Sequence, residues 1–154
     1  MQTRQTASST ALARTRRTLP MALLRARETV MEQFRPMLNR LDVTEQQWRV
    51  LRVLDEADRM DATELATRAA ILAPSLSRIL KSLEARGFIA SGKDAADRRR
   101  TLISLTETGA RFLADASPES AEIYARIEAQ VGKDAIETLL DQIETLIDRM
   151  NTGQ

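Results

Sequence analysis

The most constraining feature of this chain is a change of hydrophobic period around Gly87. Upstream, Leu76, Ile79, Leu80 and Leu83 recur at helical spacing, and Pro74 suits a first helical turn. Gly87 follows Arg86 where a helix wants a residue of positive φ just past its end. Downstream, Phe88, Ile89 and Ala90 read as a short strand, and Thr101 to Leu105 as a second. Between them runs Ser-Gly-Lys-Asp-Ala-Ala-Asp-Arg-Arg-Arg, a polar segment with turn residues. A helix that passes directly into a hairpin with a basic tip leaves few architectures open.

The segments on either side narrow them further. Leu19, Leu23, Val30, Phe34 and Leu38 predict a helix over about residues 19–38, with Pro20 in its first turn and a bend near Pro36. Thr44-x-x-Gln47 has the form of a capping box. It opens a helix on which Trp48, Val50, Leu51, Val53, Leu54 and Ala57 leave little for solvent, as expected of a central helix. Asp61-x-x-Glu64 is a second capping box, before a short helix marked by Leu65, Ala66, Ala69 and Ala70. Residues Ile71 to Pro74 then separate it from the helix carrying Leu76 to Leu83, so the pair forms a helix-turn-helix.

Thr106 is placed to cap a helix carrying Phe112, Leu113, Ile123, Ile127 and Val131, which Ser117-Pro118 either kinks or restarts. After Gly132, a last helix shows Ile136, Leu139, Leu140, Ile143, Leu146, Ile147 and Met150 on one side, with Glu137, Asp141, Glu144 and Asp148 on the other. The predicted fold is mainly α with a small β-hairpin: a winged helix-turn-helix over about 44–106, in a single domain of residues 19–154. Flanking amphipathic helices occupy about 19–38 and 107–151. They either fold back on the domain or pair with a second copy, and a twofold homodimer is the commonest solution for such surplus. Residues 1–18, rich in Arg, Ser and Thr, read as a flexible basic arm, although the composition also resembles that of some transit peptides.

Two absences set limits on chemistry. The sequence has no Cys and no His, which removes thiol redox sensing, Cys or His metal sites and imidazole catalysis. No enzyme, metal or cofactor is expected. With no apolar run approaching the roughly 20 residues of a bilayer span, the expected location is cytoplasmic and away from membranes. The net charge of +1 hides a segregation. From Arg68 to Ser104 eight basic residues face three acids, whereas from Leu105 onward ten acids outnumber four bases. A basic middle suits a polyanion such as double-stranded DNA.

On the second helix of the helix-turn-helix, inward Leu76, Ile79, Leu80 and Leu83 place Pro74, Arg78, Lys81 and Ala85 opposite, with Ser75, Ser77 and Ser82 flanking. Small residues allow close approach to the major groove, Arg78 can pair with a guanine edge, and Lys81 suits phosphate. Asp97-Arg98-Arg99-Arg100 puts three guanidiniums on the wing, where the minor groove of A·T-rich DNA attracts arginine. Asp97 is placed to hold one of them extended.

The wing run Asp94-x-x-Asp97-Arg98-Arg99 with Ile103-Ser-Leu-Thr106-x-x-Gly109, and the helix Ala73-Pro-Ser-Leu-Ser-Arg78 through Gly87, resemble the multiple-antibiotic-resistance regulator (MarR) family from about Leu19 to Met150. Leu19-Pro-Met-Ala-Leu-Leu-Arg-Ala-Arg27-Glu28 and Thr44-Glu-Gln-Gln-Trp48-Arg49 are similar to the branch that regulates homoprotocatechuate degradation. The resemblance implies a dimer of N- and C-terminal helices on a palindromic operator, repressing catabolic genes until a phenolic acid binds. By position it puts Arg99 in the minor groove, oriented by Asp97, and Ser75, Ser77, Arg78 and Lys81 in the major groove. The family's cysteine-oxidation and zinc-sensing mechanisms need residues absent here, which leaves a small aromatic carboxylic acid as effector.

For that acid, Arg27 lies on the apolar stripe of the first helix and Trp48 offers a hydrophobic wall. Arg27 either clamps the carboxylate or pairs with a protein acid, and Arg16 and Arg17 are rival clamps. Two other functions fit parts of the pattern: a helical protein-interaction module with an acidic partner, and a ligand-independent activator on DNA.

Overall fold

The computed structural model describes residues 15–153. It divides into two units, residues 1–36 and 37–154. The expected basic arm falls mostly on residues 1–14, outside the described residues. Its last positions are ordered as a 3-10 turn, Thr15–Arg17, followed by Thr18, whose hydroxyl donates to the Thr15 carbonyl at 2.8 Å. Helix α1, Leu19–Glu32, starts there with Pro20 in its first turn. None of its residues is buried: Leu19, Leu24 and Val30 keep 51%, 53% and 42% of their surface exposed.

The single helix expected over 19–38 is two. The chain turns at Gln33 and Phe34, and α2, Arg35–Arg40, begins with Pro36 in its first turn. Pro36 has no N–H to continue the ladder of α1, but the first turn of a new helix needs none.

In the second unit, Met37 and Leu38 of α2 are buried, and the backbone reverses through Asp42 at φ 54°. The capping box at Thr44 forms as expected. The Thr44 hydroxyl accepts from the Gln47 N–H at 3.1 Å, and the Gln47 side chain accepts from the Thr44 N–H at 2.9 Å. It opens α3, Glu45–Asp55, whose Val50, Leu51 and Leu54 are buried at the centre of the core. Two residues, Met60–Asp61, form β1, and Asp61 caps α4, Ala62–Ala69. The helix-turn-helix turn is shorter than expected, because α5, Ala73–Ala85, already includes Pro74 in its first turn.

Gly87 takes φ 75°, as the helix end requires. The hairpin strands are β2, Ile89–Lys93, and β3, Thr101–Leu105. Sequence periodicity missed β1, which adds to β3 antiparallel with Met60 opposite Ile103, so the sheet is three-stranded in the order β1-β3-β2. Thr106 caps α6, Glu107–Val131, and its hydroxyl accepts from the Gly109 N–H at 3.0 Å. Pro118 lies inside α6 without ending it. Ala114, whose carbonyl loses its partner there, and Pro118 are both exposed, so water can satisfy the orphaned acceptor.

After Gly132 at φ 99°, α7 runs Lys133–Thr152 with no buried residue. Leu139, Leu140, Ile147 and Met150 expose 51%, 47%, 51% and 65%. An exposed apolar stripe of this extent marks an interaction surface. The core of the second unit instead gathers Val50, Leu51, Leu54, Leu65, Leu76, Leu83, Phe88, Ile103 and Leu113. Helices α3, α4 and α5, the sheet and the start of α6 thus form a winged helix.

Candidate nucleic-acid interface

Helix α5 is amphipathic in the sense the sequence predicts. Leu76, Ile79 and Leu83 are buried, and Pro74, Ser77, Arg78 and Lys81 are exposed. Ser75 is half-buried, so it has less reach than the other residues expected at the major groove. No acid stands in the first turn, which leaves the positive end of the helix dipole unopposed. Ser82 is occupied otherwise: its hydroxyl accepts from the Gln47 side chain of α3 at 3.0 Å.

The far end of α5 is pinned by a residue that sequence reading did not single out. The Arg86 guanidinium donates to the Leu41 carbonyl at 3.2 Å and to the Asp42 carbonyl. It also lies 4.7 Å from the centre of the Phe88 ring, which stacks on Phe112 at 4.5 Å. Arg86 therefore holds α5 to the α2–α3 corner. Its partners sit more than forty residues away, beyond the reach of any local pattern.

The wing tip is built by its two aspartates. Asp94 Oδ1 accepts from the Ala96 N–H and Asp97 Oδ1 from the Arg99 N–H, each at 3.0 Å. The Arg100 N–H donates to the Asp97 carbonyl at 3.0 Å, and the Asp94 N–H to the Arg100 carbonyl at 2.9 Å. The expectation that Asp97 holds a guanidinium is thus corrected: its recorded bond is to the Arg99 backbone. The carboxylate shapes the loop, and the loop then presents the side chain.

The three arginines are not equivalent. Arg98 and Arg99 are exposed and make no ion pair among the described residues. Arg100, expected beside them at the DNA, donates from Nε to Asp61 Oδ2 at 2.9 Å and lies 3.9 Å from Asp94. The Glu64 N–H and then the Arg100 guanidinium hold the Asp61 carboxyl below its usual 3.8.

The candidate effector residues fall in both units. Arg16 and Arg17 are exposed in the 3-10 turn of the first unit. Arg27 was expected on a buried stripe, but α1 has no buried residue, and Arg27 lies 3.4 Å from Glu28 with 43% of its side chain exposed. Periodicity reveals a stripe without saying what covers it. Trp48, in the second unit, is half-buried against the core. A hollow of about 400 Å³ lined by Leu38, Asn39, Asp42, Gln47, Ser82 and Arg86, among others, includes none of these four. Among the described residues no three acids cluster to hold a metal, and no helix is long and apolar enough to cross a membrane.

Comparison with known proteins bears on this geometry. The MarR family profile matches residues 43–101, from the start of α3 into β3. The homoprotocatechuate degradative operon repressor of Escherichia coli is 43% identical over 121 residues, covering 79% of this chain and 82% of that protein. The crystal structure of NadR with 4-hydroxyphenylacetate superposes with a TM-score of 0.81 at 34% identity, over 89% of this chain and all of the other. The repressor CouR bound to a 23-mer DNA duplex gives 0.78 at 31% identity, over 87% of this chain and 95% of that one.

Proposed function

This chain belongs to the MarR family, and from that premise we propose that it is a homodimeric, cytoplasmic repressor of aromatic-acid breakdown genes, released from its operator by a small phenolic acid. One observation carries the DNA-binding part. In and beside the winged helix four arginines are ion-paired within the chain: Arg52 with Asp55, Arg68 with Glu64, Arg100 with Asp61 and Arg111 with Glu107. Arg78, Lys81, Arg98 and Arg99, the cations on the recognition helix and the wing tip, have no such partner among the described residues. An arginine left unpaired on a projecting element is available to phosphate or a base edge.

The uncovered apolar residues of α1 and α7 support the dimer. A twofold axis would cover both faces at once and set two recognition helices about one DNA turn, roughly 34 Å, apart on a palindrome. Arg16, Arg17 and Arg27 are among the cations in and just before α1, where an acid bound near the dimer contact would find a counter-charge. An effector seated there acts by favouring a spacing that does not fit the operator. If it weakens DNA binding 100-fold, DNA must weaken effector binding 100-fold, a coupling of about 2.7 kcal/mol.

The test is fluorescence anisotropy on a duplex from upstream of the chain's own gene, against a scrambled duplex, with 4-hydroxyphenylacetate as the probe acid. Selective binding that the acid reverses is expected. Equal affinity for both duplexes defeats the operator reading. Selective binding that ignores 4-hydroxyphenylacetate and related phenolic acids defeats the effector reading alone.

A further inference from the structure

We infer that Arg100 and Asp61 form a latch fixing the angle of the wing against the helix-turn-helix, so that Arg100 is a positioning residue and not a DNA contact. The inference deepens the operator-binding reading and rests on it for its effect on affinity.

Asp61 serves two elements with one carboxylate. Its Oδ1 accepts the Glu64 N–H at 2.8 Å and so caps α4, while its Oδ2 takes the Arg100 Nε–H at 2.9 Å. Arg100 sits at the base of the wing loop, where its own N–H and carbonyl close the turn onto Asp97 and Asp94. Its guanidinium also faces Asp94 at 3.9 Å. The fork of one arginine therefore joins the first helix of the helix-turn-helix to the ribbon that carries Arg98 and Arg99.

Such a joint matters because the ladder beside it is short. β1 meets β3 through two residue pairs, Met60 with Ile103 and Asp61 with Leu102. A five-residue strand extends about 16 Å, so a rotation of roughly 10° at its base swings the tip by about 3 Å. In a minor groove about 6 Å wide, that displacement takes a guanidinium out of hydrogen-bond reach. Side-chain exposure of 47% for Arg100 and 29% for Asp61 makes the pair a modest one, suited to biasing an angle more than to holding the fold.

The charge of Asp61 allows a test by sign. If Arg100 leaves for phosphate when DNA binds, Asp61 is an uncompensated anion near the duplex, and Asp61→Asn raises affinity. If the latch holds, the same variant lowers it. Asparagine caps helices as well as aspartate does, so α4 keeps its start.

Asp61→Asn, Arg100→Gln and the double variant are titrated with the operator duplex across a salt series, below their melting temperatures. Each single variant is expected to lose about threefold per wing, about tenfold for the dimer, with the double variant no weaker than either. The slope of log K against log salt stays at the wild-type value. A raised or unchanged affinity for Asp61→Asn, additive losses, or a slope flattened by about 0.9 per subunit in Arg100→Gln overturns the latch. Hydrogen exchange of the free protein gives a readout without DNA: the β1–β3 amides should exchange faster in both single variants, and unchanged exchange also overturns it. If the wild type fails to select its operator while exchange still responds, the operator reading falls and the joint itself stands.

Discussion

Gly109 is the position at which the structure sets a stability cost most directly. It lies in the first turn of α6, where alanine would ordinarily gain about 1 kcal/mol in helix propensity. A β-carbon built there, however, falls 2.1 Å from the Phe88 carbonyl oxygen and 2.9 Å from its carbon. Both atoms are backbone, so no rotamer change relieves the contact. A carbon and a carbonyl oxygen rest at about 3.3 Å or more, and α6 must therefore part from the start of the wing by about 1 Å. That movement breaks the bond from the Thr106 N–H to the Phe88 carbonyl, now 3.0 Å. Losing it costs about 1 kcal/mol and the overpacking about 1–3 more. After the propensity gain, Gly109→Ala should destabilise by about 1–3 kcal/mol. For a chain of this size the melting temperature should drop by about 2–12 °C. Circular dichroism melts at one fixed protomer concentration measure this, since a dimer's melting point depends on concentration. Gly92→Ala is the control, because its added carbon meets nothing within 4 Å. A Gly109→Ala protein that melts with or above the wild type refutes the close approach of α6 to Phe88.

Three further perturbations probe the interface and the assembly. Arg78→Ala should relax discrimination at one base pair per half-site by about 1–3 kcal/mol, whereas Arg99→Ala should weaken binding to A·T-flanked operators and flatten the salt slope; competition with single-base operator variants separates the two. Ile147→Glu puts a charge on the uncovered face of α7 and should shift sedimentation from dimer to monomer, with operator affinity lost and helical ellipticity largely kept. The Asp61 carboxyl titrates below its usual 3.8, so its contribution to stability is full above that value and is lost as pH falls through the lowered one. The stability gap between wild type and Asp61→Asn, from urea unfolding, should accordingly be constant near neutrality and close below pH 3.8.

What could be read from the sequence was local or periodic. The Thr44–Gln47 box, the caps at Asp61 and Thr106, and the positive φ of Gly87 each depend on residues within one turn of one another, and all form. The inward row of α5 follows from helical spacing: Leu76, Ile79 and Leu83 are buried and Leu80 is half-buried. Pairings across long separations left no local trace. β1 finds β3 some forty residues on, Arg100 reaches Asp61 over 39 residues, and Arg86 returns to the α2–α3 corner. Arg27 illustrates a different limit: the apolar spacing of α1 is real, yet none of its residues is buried among the described residues.

The turn between α4 and α5 is closed by backbone bonds, with the Arg49 guanidinium of α3 donating to the Ala70 carbonyl at 3.4 Å. Ala70 stands in the left-handed region at φ 52°, its N–H donates to the Thr67 carbonyl, and the Ile71 N–H reaches the Ala66 carbonyl at 3.0 Å, with Ile71 itself buried. A corner closed by two main-chain bonds and an inserted isoleucine has little freedom to hinge. In the proposed repressor, an effector would therefore carry α4 and α5 as one piece, changing where the two reading heads stand on the duplex and not the tilt of either within its own subunit.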